Sequence, residues 1–170
     1  MARMNGFTLL ELIVTITILV IALSIGVPTL SQWIQRSKTS ALQFSLLHSI
    51  HYARTQATLL QSTITLCPGT TECENNWGES LIIYLDQDSN GIKDQNETLL
   101  KQIDTGLLGQ YLDWRSFRRT TYIQFNAQGI TPALNGTLQF CPDSPKNEFK
   151  FSITLARTGR VSISDTPNCQ

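Results

Sequence analysis

The oxygen-rich segment from residue 86 to residue 97 has the residue types and spacing that most directly suggest ligand chemistry. It follows the twelve-residue calcium-loop spacing D-x-D-x-N-G-x5-E, with the residues Asp86, Asp88, Asn90, Gly91, Asp94 and Glu97. Oxygen donors at alternate positions suit a hard cation such as Ca²⁺. Against calcium, Lys93 occupies a position that is usually apolar, and strand-like sequence flanks the segment. Because turns also favour Asp, Asn and Gly, both calcium binding and a structural turn remain interpretations.

Four cysteines form a second group of reactive side chains: Cys67, Cys73, Cys141 and Cys169. An even number predicts disulfides if this part of the chain lies in an oxidising compartment. Three pairings can be drawn. We prefer Cys67 with Cys73, which closes the short CPGTTEC loop, and Cys141 with Cys169, which ties the chain end to a strand. A zinc site would favour C-x2-C pairs, which this sequence lacks.

Two groups of arginines could bind anions. The first group, Arg157 and Arg160, flanks a Thr158-Gly159 turn. The second group lies in the sequence WRSFRRT and consists of Arg115, Arg118 and Arg119. If the groups shared one face they could neutralise several DNA phosphates, with an affinity that falls as salt rises. Scattered solvated arginines are the simpler interpretation, because acidic and basic residues number 13 each and leave no basic excess.

Enzyme chemistry finds no support in the sequence. His48 and His51 stand three residues apart, a spacing at which two imidazoles could share a metal, but no third ligand accompanies them. The sequence contains no G-x-S-x-G, H-E-x-x-H or P-loop motif. We therefore expect no catalysis and no cofactor other than the calcium considered for residues 86–97.

The stretch from Phe7 to Leu30 is the element that anchors the rest of the chain. Glu11 is its only charged residue, and about 20 apolar residues suffice for a helix to cross a bilayer. A secretory signal would have a shorter apolar core and a small-residue cleavage site after it. A carboxylate at the centre of a spanning helix costs about 2.5–3.5 kcal/mol and needs a partner. Because the stretch contains no basic residue, a cation must come from another chain or from an amine created near residue 7.

The sequence GFTLLE resembles the processing site of type IV prepilins and type II secretion pseudopilins. The resemblance implies cleavage between Gly6 and Phe7 by a prepilin peptidase, followed by N-methylation of Phe7. It also implies that Glu11 pairs with the Phe7 amine of a neighbouring subunit during assembly. The chain would then consist of a leader (1–6), a transmembrane and assembly helix (7–30) and a head domain (31–170).

Helical periodicity continues to about residue 61. Pro28 predicts a kink or local melting near residues 22–30, because proline lacks a backbone donor and clashes with the preceding turn. Further along, apolar and small residues recur at spacings of three and four, which predicts a face packed on a sheet. The face comprises Leu42, Leu46, Ile50, Ala53, Ala57 and Leu60, widened by Phe44 and Leu47.

Period-two alternation replaces the helical pattern after residue 61. It predicts seven strands, at 62–67, 80–86, 98–104, 121–126, 137–141, 149–155 and 160–164. Turns are predicted at Asn90-Gly91, Gln128-Gly129, Asn135-Gly136 and Thr158-Gly159. One long helix followed by strands without crossover helices predicts an α+β protein. Its long N-terminal transmembrane/amphipathic helix would pack on an antiparallel β-sheet head.

Motifs in the head narrow the resemblance. They are ARTQA, STITLCPG, WGESLIIYLDQDSNG, IQFNAQG, GTLQFC and TGRVSIS. These sequences resemble the GspH/FimT (FimU-like) family of minor pilins and minor pseudopilins, and the resemblance implies a pilin-like fold. The implied function is a minor type IV pilin that takes part in initiating pilus assembly or forms part of the pilus tip complex. A minor pseudopilin of type II secretion is the alternative.

The resemblance also implies partners and a location. The partners are other minor pilins, the major pilin, the prepilin peptidase and the inner-membrane assembly platform. The protein would cross the bacterial inner membrane once, with its head in the periplasm, before it enters a pilus or pseudopilus. Some FimT-type minor pilins bind DNA for uptake through a G-R-x-R tail. The chain has Gly159-Arg160-Val161-Ser162 there, without the second arginine, so DNA contact at Arg157 and Arg160 is a further alternative.

Overall fold

The computed structural model of the protein describes residues 8–105, 111–132, 135–142, 149–167 and 169. Within these residues the chain forms one helix, α1 (Leu9–Leu60), and eight strands. The strands are β1 (Ile64–Pro68), β2 (Ser80–Leu85), β3 (Leu99–Asp104), β4 (Tyr111–Ser116), β5 (Ile123–Phe125), β6 (Gly136–Cys141), β7 (Phe151–Leu155) and β8 (Val161–Ser164). The chain divides into two compact units, Met1–Lys38 and Thr39–Gln170.

Helix α1 passes through Pro28 without interruption, so the predicted local melting is wrong. The helix ends where Gln61 adopts a positive φ of 51° and the Ser62 N–H donates to the Ala57 carbonyl at 3.2 Å. That bond is the six-to-one bond of a Schellman motif, which satisfies a carbonyl that the helix end would leave free.

One face of the last turns of α1 is buried in the second unit, as its periodicity predicts. The buried apolar residues are Leu42, Leu46, Ile50, Ala53 and Ala57. Phe44 is 65% exposed, which contradicts its predicted place in this face. At 100° per residue it lies about 200° from Leu42 and therefore on the opposite side of the helix. Leu60, the last helical residue, is 43% exposed.

The strands form two four-stranded antiparallel sheets. The first has the order β3-β2-β1-β5 and the second the order β4-β6-β7-β8. The antiparallel α+β fold is confirmed, but with two sheets and an additional strand, β4. Its buried Leu112 and Trp114 alternate with the exposed Asp113 and Arg115. This strand was not predicted because the alternation is short and merges with the charged WRSFRRT segment.

One apolar core joins the α1 face to both sheets. Its largest side chains include Trp77, Trp114, Phe125, Phe140 and Phe151. On the opposite face of the first sheet a smaller cluster contains Cys67, Ile82 and Tyr84. Two long connections follow β1 and β2: residues 69–79 and residues 86–98. The first contributes Cys73 to the smaller cluster. The second places the Lys93 ammonium 5.9 Å from the Tyr84 ring centroid. We refer to these connections as the acidic loops.

Candidate functional site

From Leu9 to Leu30, helix α1 presents apolar side chains on all sides. Every described residue from Thr8 to Lys38 is exposed. The most apolar 18-residue window of the helix has a mean hydropathy of 2.6, and none of that window is buried. This length and composition are those of a membrane-spanning helix. Such a surface is stable in lipid or against other apolar helices and costly in water.

The polar side chains of this segment bond within the helix, as lipid requires. Thr15 and Ser24 hydroxyls donate to carbonyls three residues earlier at 2.9 and 2.8 Å, and Thr17 and Thr29 hydroxyls donate to carbonyls four residues earlier at 2.7 and 2.9 Å. None of these groups therefore needs a partner outside the helix. Glu11 is the exception between Leu9 and Leu30, because it carries the only charge of that stretch.

Glu11 lies in the first turn of α1. Thr8 caps the helix: its Oγ1 accepts the Glu11 N–H at 3.3 Å, and its carbonyl accepts the Leu12 N–H at 3.2 Å. The order Thr-x-x-Glu is that of a capping box, a signal that the sequence analysis missed. A carboxylate here gains about 0.3–1 kcal/mol from the partial positive charge of the helix start. That gain is smaller than the cost of about 2.5–3.5 kcal/mol for a charge at the centre of a lipid-spanning helix. Gly6 and Phe7 lie outside the described residues.

The acidic segment of residues 86–97 brings together three of its five predicted calcium ligands. One oxygen each of Asp86, Asp88 and Glu97 lies within 4.8 Å of the others. Asn90 instead donates from its amide to Asp88 at 2.6 Å and accepts the Ile92 N–H at 2.6 Å. Asp94 contributes its backbone, which donates to Glu97 at 3.1 Å. Three carboxylates this close can hold a divalent cation.

The same carboxylates also fold the loop. Asp86 is fully buried. Its Oδ2 accepts the Thr65 hydroxyl at 2.6 Å, the Gln124 amide at 2.8 Å and the Gly91 N–H at 3.0 Å. The Glu97 carboxylate accepts the Gln87 N–H at 2.9 Å and the Asp94 N–H at 3.1 Å. Hydrogen bonds from within the chain therefore already occupy oxygens that a calcium ion would use.

Two disulfides are present, with the pairings preferred from the sequence. Cys67 is bonded to Cys73 and Cys141 to Cys169. The Tyr84 hydroxyl lies 3.6 Å from the Cys73 sulfur. Burial, reinforced by the Asp86 and Glu97 carboxylates, raises the pKa of the Tyr84 phenol far above its ordinary value. The Tyr84 phenol in the folded head therefore stays neutral well above the pH at which a free tyrosine ionises.

Arg54 joins α1 to two distant turns. Its Nε donates to the Gly129 carbonyl and its Nη1 to the Gly159 carbonyl, both at 3.0 Å, and Nη2 reaches the Thr158 carbonyl at 3.3 Å. Both glycines have positive φ. A Cβ at Gly159 would lie 2.3 Å from the Gly129 carbonyl oxygen and 2.9 Å from Arg54 Nε. This position therefore requires glycine for both conformation and space.

The remaining predicted site residues lie at the surface. Arg157 and Arg160 are exposed and flank the turn between β7 and β8. Strand register places that turn at the same end of the second sheet as the loop after β4, so the two arginine groups of the sequence lie at one end of the sheet. His48 and His51 are exposed on α1. Neither belongs to a metal-sized cluster in the described ranges.

An apolar helical segment that is exposed from Leu9 to Leu30, with one carboxylate at its start and a disulfide-bonded head after it, defines a membrane-anchored pilin-like subunit. The sequence model of the family described as "Type II transport protein GspH" matches residues 45–159, and that of the "Prokaryotic N-terminal methylation motif" matches residues 1–27. The chain therefore belongs to the GspH family, a structural group of minor pilins and pseudopilins. A comparison with curated protein sequences gives no significant match.

Two solved structures of one minor pilin share this fold. Two crystal structures of the type IV minor pilin FimU of Pseudomonas aeruginosa PAO1 align with TM-scores of 0.57 and 0.51, each at 18% identity. They cover 78% and 75% of this chain, and 92% and 90% of FimU. The minor pseudopilin EpsH of the Vibrio cholerae type 2 secretion system aligns with a TM-score of 0.49 at 17% identity, over 73% of this chain and 93% of EpsH.

Proposed function

We propose that the protein is a minor type IV pilin of the bacterial inner membrane, which joins the initiating or tip complex of a pilus and catalyses no reaction. A prepilin peptidase would remove residues 1–6 and methylate Phe7. The mature helix would then pack laterally against the helices of other minor pilins and of the major pilin on the assembly platform. The two disulfides support a periplasmic head, because such bonds persist in oxidising compartments.

The observation that carries this proposal is the single charged group of the apolar helix. Glu11 is exposed and forms no ion pair with a described residue. The helix start offsets only part of the cost of the carboxylate in lipid. The free amine that cleavage creates at Phe7 of a neighbouring subunit would supply the missing positive charge. This pairing would set the axial register between adjacent helices.

Replacing Glu11 by Val tests the register role. The variant should insert into the membrane at least as well as the wild type, because a charge has been removed from the apolar segment. Its amount in sheared filaments should fall about tenfold or more, which we expect if roughly 1.4 kcal/mol of pairing is lost. Thr17→Val, which removes a polar group already bonded within the helix, is the matched control. Normal incorporation of Glu11→Val would refute the register role.

A minor pseudopilin of type II secretion is the second candidate, and the match to the GspH family model favours it. Deletion of the gene separates the two. Loss of surface pili with normal exoprotein release supports the pilus role. Loss of exoprotein release with normal pili supports the secretion role and would overturn the assignment to a pilus.

A further inference from the structure

The register of the second sheet gathers arginines at one of its ends. Ser116 pairs with Gly136, Gly136 with Leu155, and Leu155 with Val161, so these four residues form one row across the sheet. The loop after β4 and the turn between β7 and β8 leave from this row. Two strand spacings separate them, or about 10 Å. We call the exposed side chains there the basic edge: Arg115, Phe117, Arg118, Arg119, Arg157 and Arg160.

The basic edge has charges without partners and an exposed aromatic ring. Arg115 pairs with Asp113 at 2.7 Å. None of the other four guanidinium groups lies within ion-pair distance of a carboxylate in the part of the chain that the structure describes. Phe117 is 78% exposed. Arginine is enriched at the energetic centres of protein interfaces, and phenylalanine is enriched in interfaces relative to the rest of the surface.

Backbone hydrogen bonds hold Phe117 in position. Its N–H donates to the Asn135 carbonyl at 2.9 Å, and the Arg119 N–H donates to the Ser116 carbonyl at 3.1 Å. The Ser116 hydroxyl accepts the Thr120 N–H at 2.8 Å. A partner would therefore meet a turn whose backbone is already ordered, which lowers the entropy lost on binding.

The opposite charge lies on the first sheet of the same head. Residues 62–105 contain eight acidic and two basic residues, whereas residues 106–170 contain four acidic and seven basic ones. The exposed carboxylates of the acidic loops include Glu72, Glu74, Glu79, Asp88 and Asp94. One head thus carries both a basic surface and an acidic surface, on different sheets.

This distribution favours another head over a nucleic acid as the partner. From residue 39 onward the chain has twelve acidic and ten basic residues. Such a head lacks the positive excess that attracts polyanions. A second head offers carboxylates that match the basic edge. Because the two surfaces differ, the contact between the two heads is head-to-tail and not two-fold symmetric.

We propose that the basic edge of one head docks on the acidic loops of a second copy of this chain. This proposal rests on the proposed assembly function and adds to it a contact between two heads. It would add a polar, salt-sensitive contact between heads to the packing between apolar helices.

Photo-crosslinking of the full chain in bacterial membranes tests the proposal. A photoreactive phenylalanine analogue replaces Phe117, and mass spectrometry maps the cross-linked peptides. We expect a covalent homodimer in which position 117 is joined to residues 69–79 or 86–98. The matched control places the same analogue at Thr166, which is exposed beyond the opposite end of β8. This control should give at least about fivefold less homodimer.

Charge reversal tests the chemistry of the contact. Arg118→Glu with Arg119→Glu should lower the cross-linked homodimer about fivefold or more, and Glu72→Lys with Glu74→Lys should do the same. Carrying all four changes in one chain should restore the yield. If the double variants lost homodimer because they misfolded, the fourfold variant would not regain it. A regained yield therefore shows that the two surfaces attract each other by opposite charge.

Two results would overturn the docking proposal. One is the absence of a copy-to-copy cross-link from Phe117 in chains that enter filaments normally, which leaves the assembly role intact. The other is salt-sensitive retardation of DNA by the full chain in detergent, abolished by Arg118→Glu with Arg119→Glu, without any homodimer. Conversely, if Glu11→Val entered filaments normally while the Phe117 homodimer formed, the register role would fail and the docking would stand.

Discussion

Arg54 offers the sharpest test of how the head is held together, because one side chain connects α1 to two turns 75 and 105 residues away. Replacing Arg54 by Ala removes two hydrogen bonds of 3.0 Å and one of 3.3 Å. It also leaves the carbonyls of Gly129 and Gly159 without this donor. Bonds to charged groups contribute about 1.5–3 kcal/mol each. Since Arg54 is half-buried, we take the lower end for the two short bonds and expect a loss of about 3–4 kcal/mol.

The assay is urea denaturation of a head fragment that begins at Thr39, with both disulfides formed. Trp77 and Trp114 lie in the core and report unfolding by fluorescence. Because domains of this size have about 5–15 kcal/mol of stability, the expected loss should move the midpoint clearly at unchanged slope. Arg54→Lys should lose about half as much, since an ammonium lacks the planar fork of donors.

Arg160→Ala is the matched control for Arg54→Ala. Arg160 follows the same turn but is exposed and makes no ion pair with a described residue. Its replacement should change the unfolding free energy by less than about 0.5 kcal/mol. If Arg54→Ala cost no more than this control, the bonds to the two turns would not stabilise the head and the reasoning would be refuted.

Three further predictions concern the disulfides, Tyr84 and Asp86. Replacing both cysteines of Cys141–Cys169 by serine should lower the unfolding free energy by about 3.6 kcal/mol, because the sequence separation is 28. The same change at Cys67–Cys73, with a separation of 6, should lower it by about 2.2 kcal/mol. A larger loss for Cys67–Cys73 in urea denaturation would contradict the chain-entropy argument. The raised pKa of Tyr84 predicts that stability is complete below about pH 10 and falls above it by up to about 1.4 kcal/mol per pH unit, because only the unfolded phenol ionises there; Tyr84→Phe should show a shallower alkaline decline, and an unchanged slope would count against this assignment. Asp86→Ala should lower the Tm of the head even with a chelator present, because it leaves three buried hydrogen-bond donors unpaired. A wild-type Tm that rises with added Ca²⁺ would indicate that the acidic segment of residues 86–97 binds calcium.

Local patterns explain why much of the fold could be predicted from the sequence. The buried face of α1 follows from apolar spacing, and seven of the eight described strands, all but β4, follow from alternation bounded by turn residues. The predicted turn at Asn135-Gly136 is wrong, because Gly136 begins β6. Glycines 91, 129 and 159 do adopt the positive φ values expected of turns.

Long-range pairing explains most of what could not be predicted. The division into two sheets depends on which distant strands pair, and no local pattern encodes that choice. The bonds of Arg54 likewise join residues far apart in the chain, and strand register decides that the two arginine groups lie at the same end of the second sheet. The cap at Thr8 was different, since Thr-x-x-Glu is a local signal that could have been recognised.

The central claim is that cleavage before Phe7 creates the cation that Glu11 needs. Mass spectrometry of the N-terminal peptide from filament or membrane fractions tests it most directly. We predict a mature chain that begins with N-methylated Phe7. A chain that retains Met1, or one cut beyond Leu30, would contradict the account.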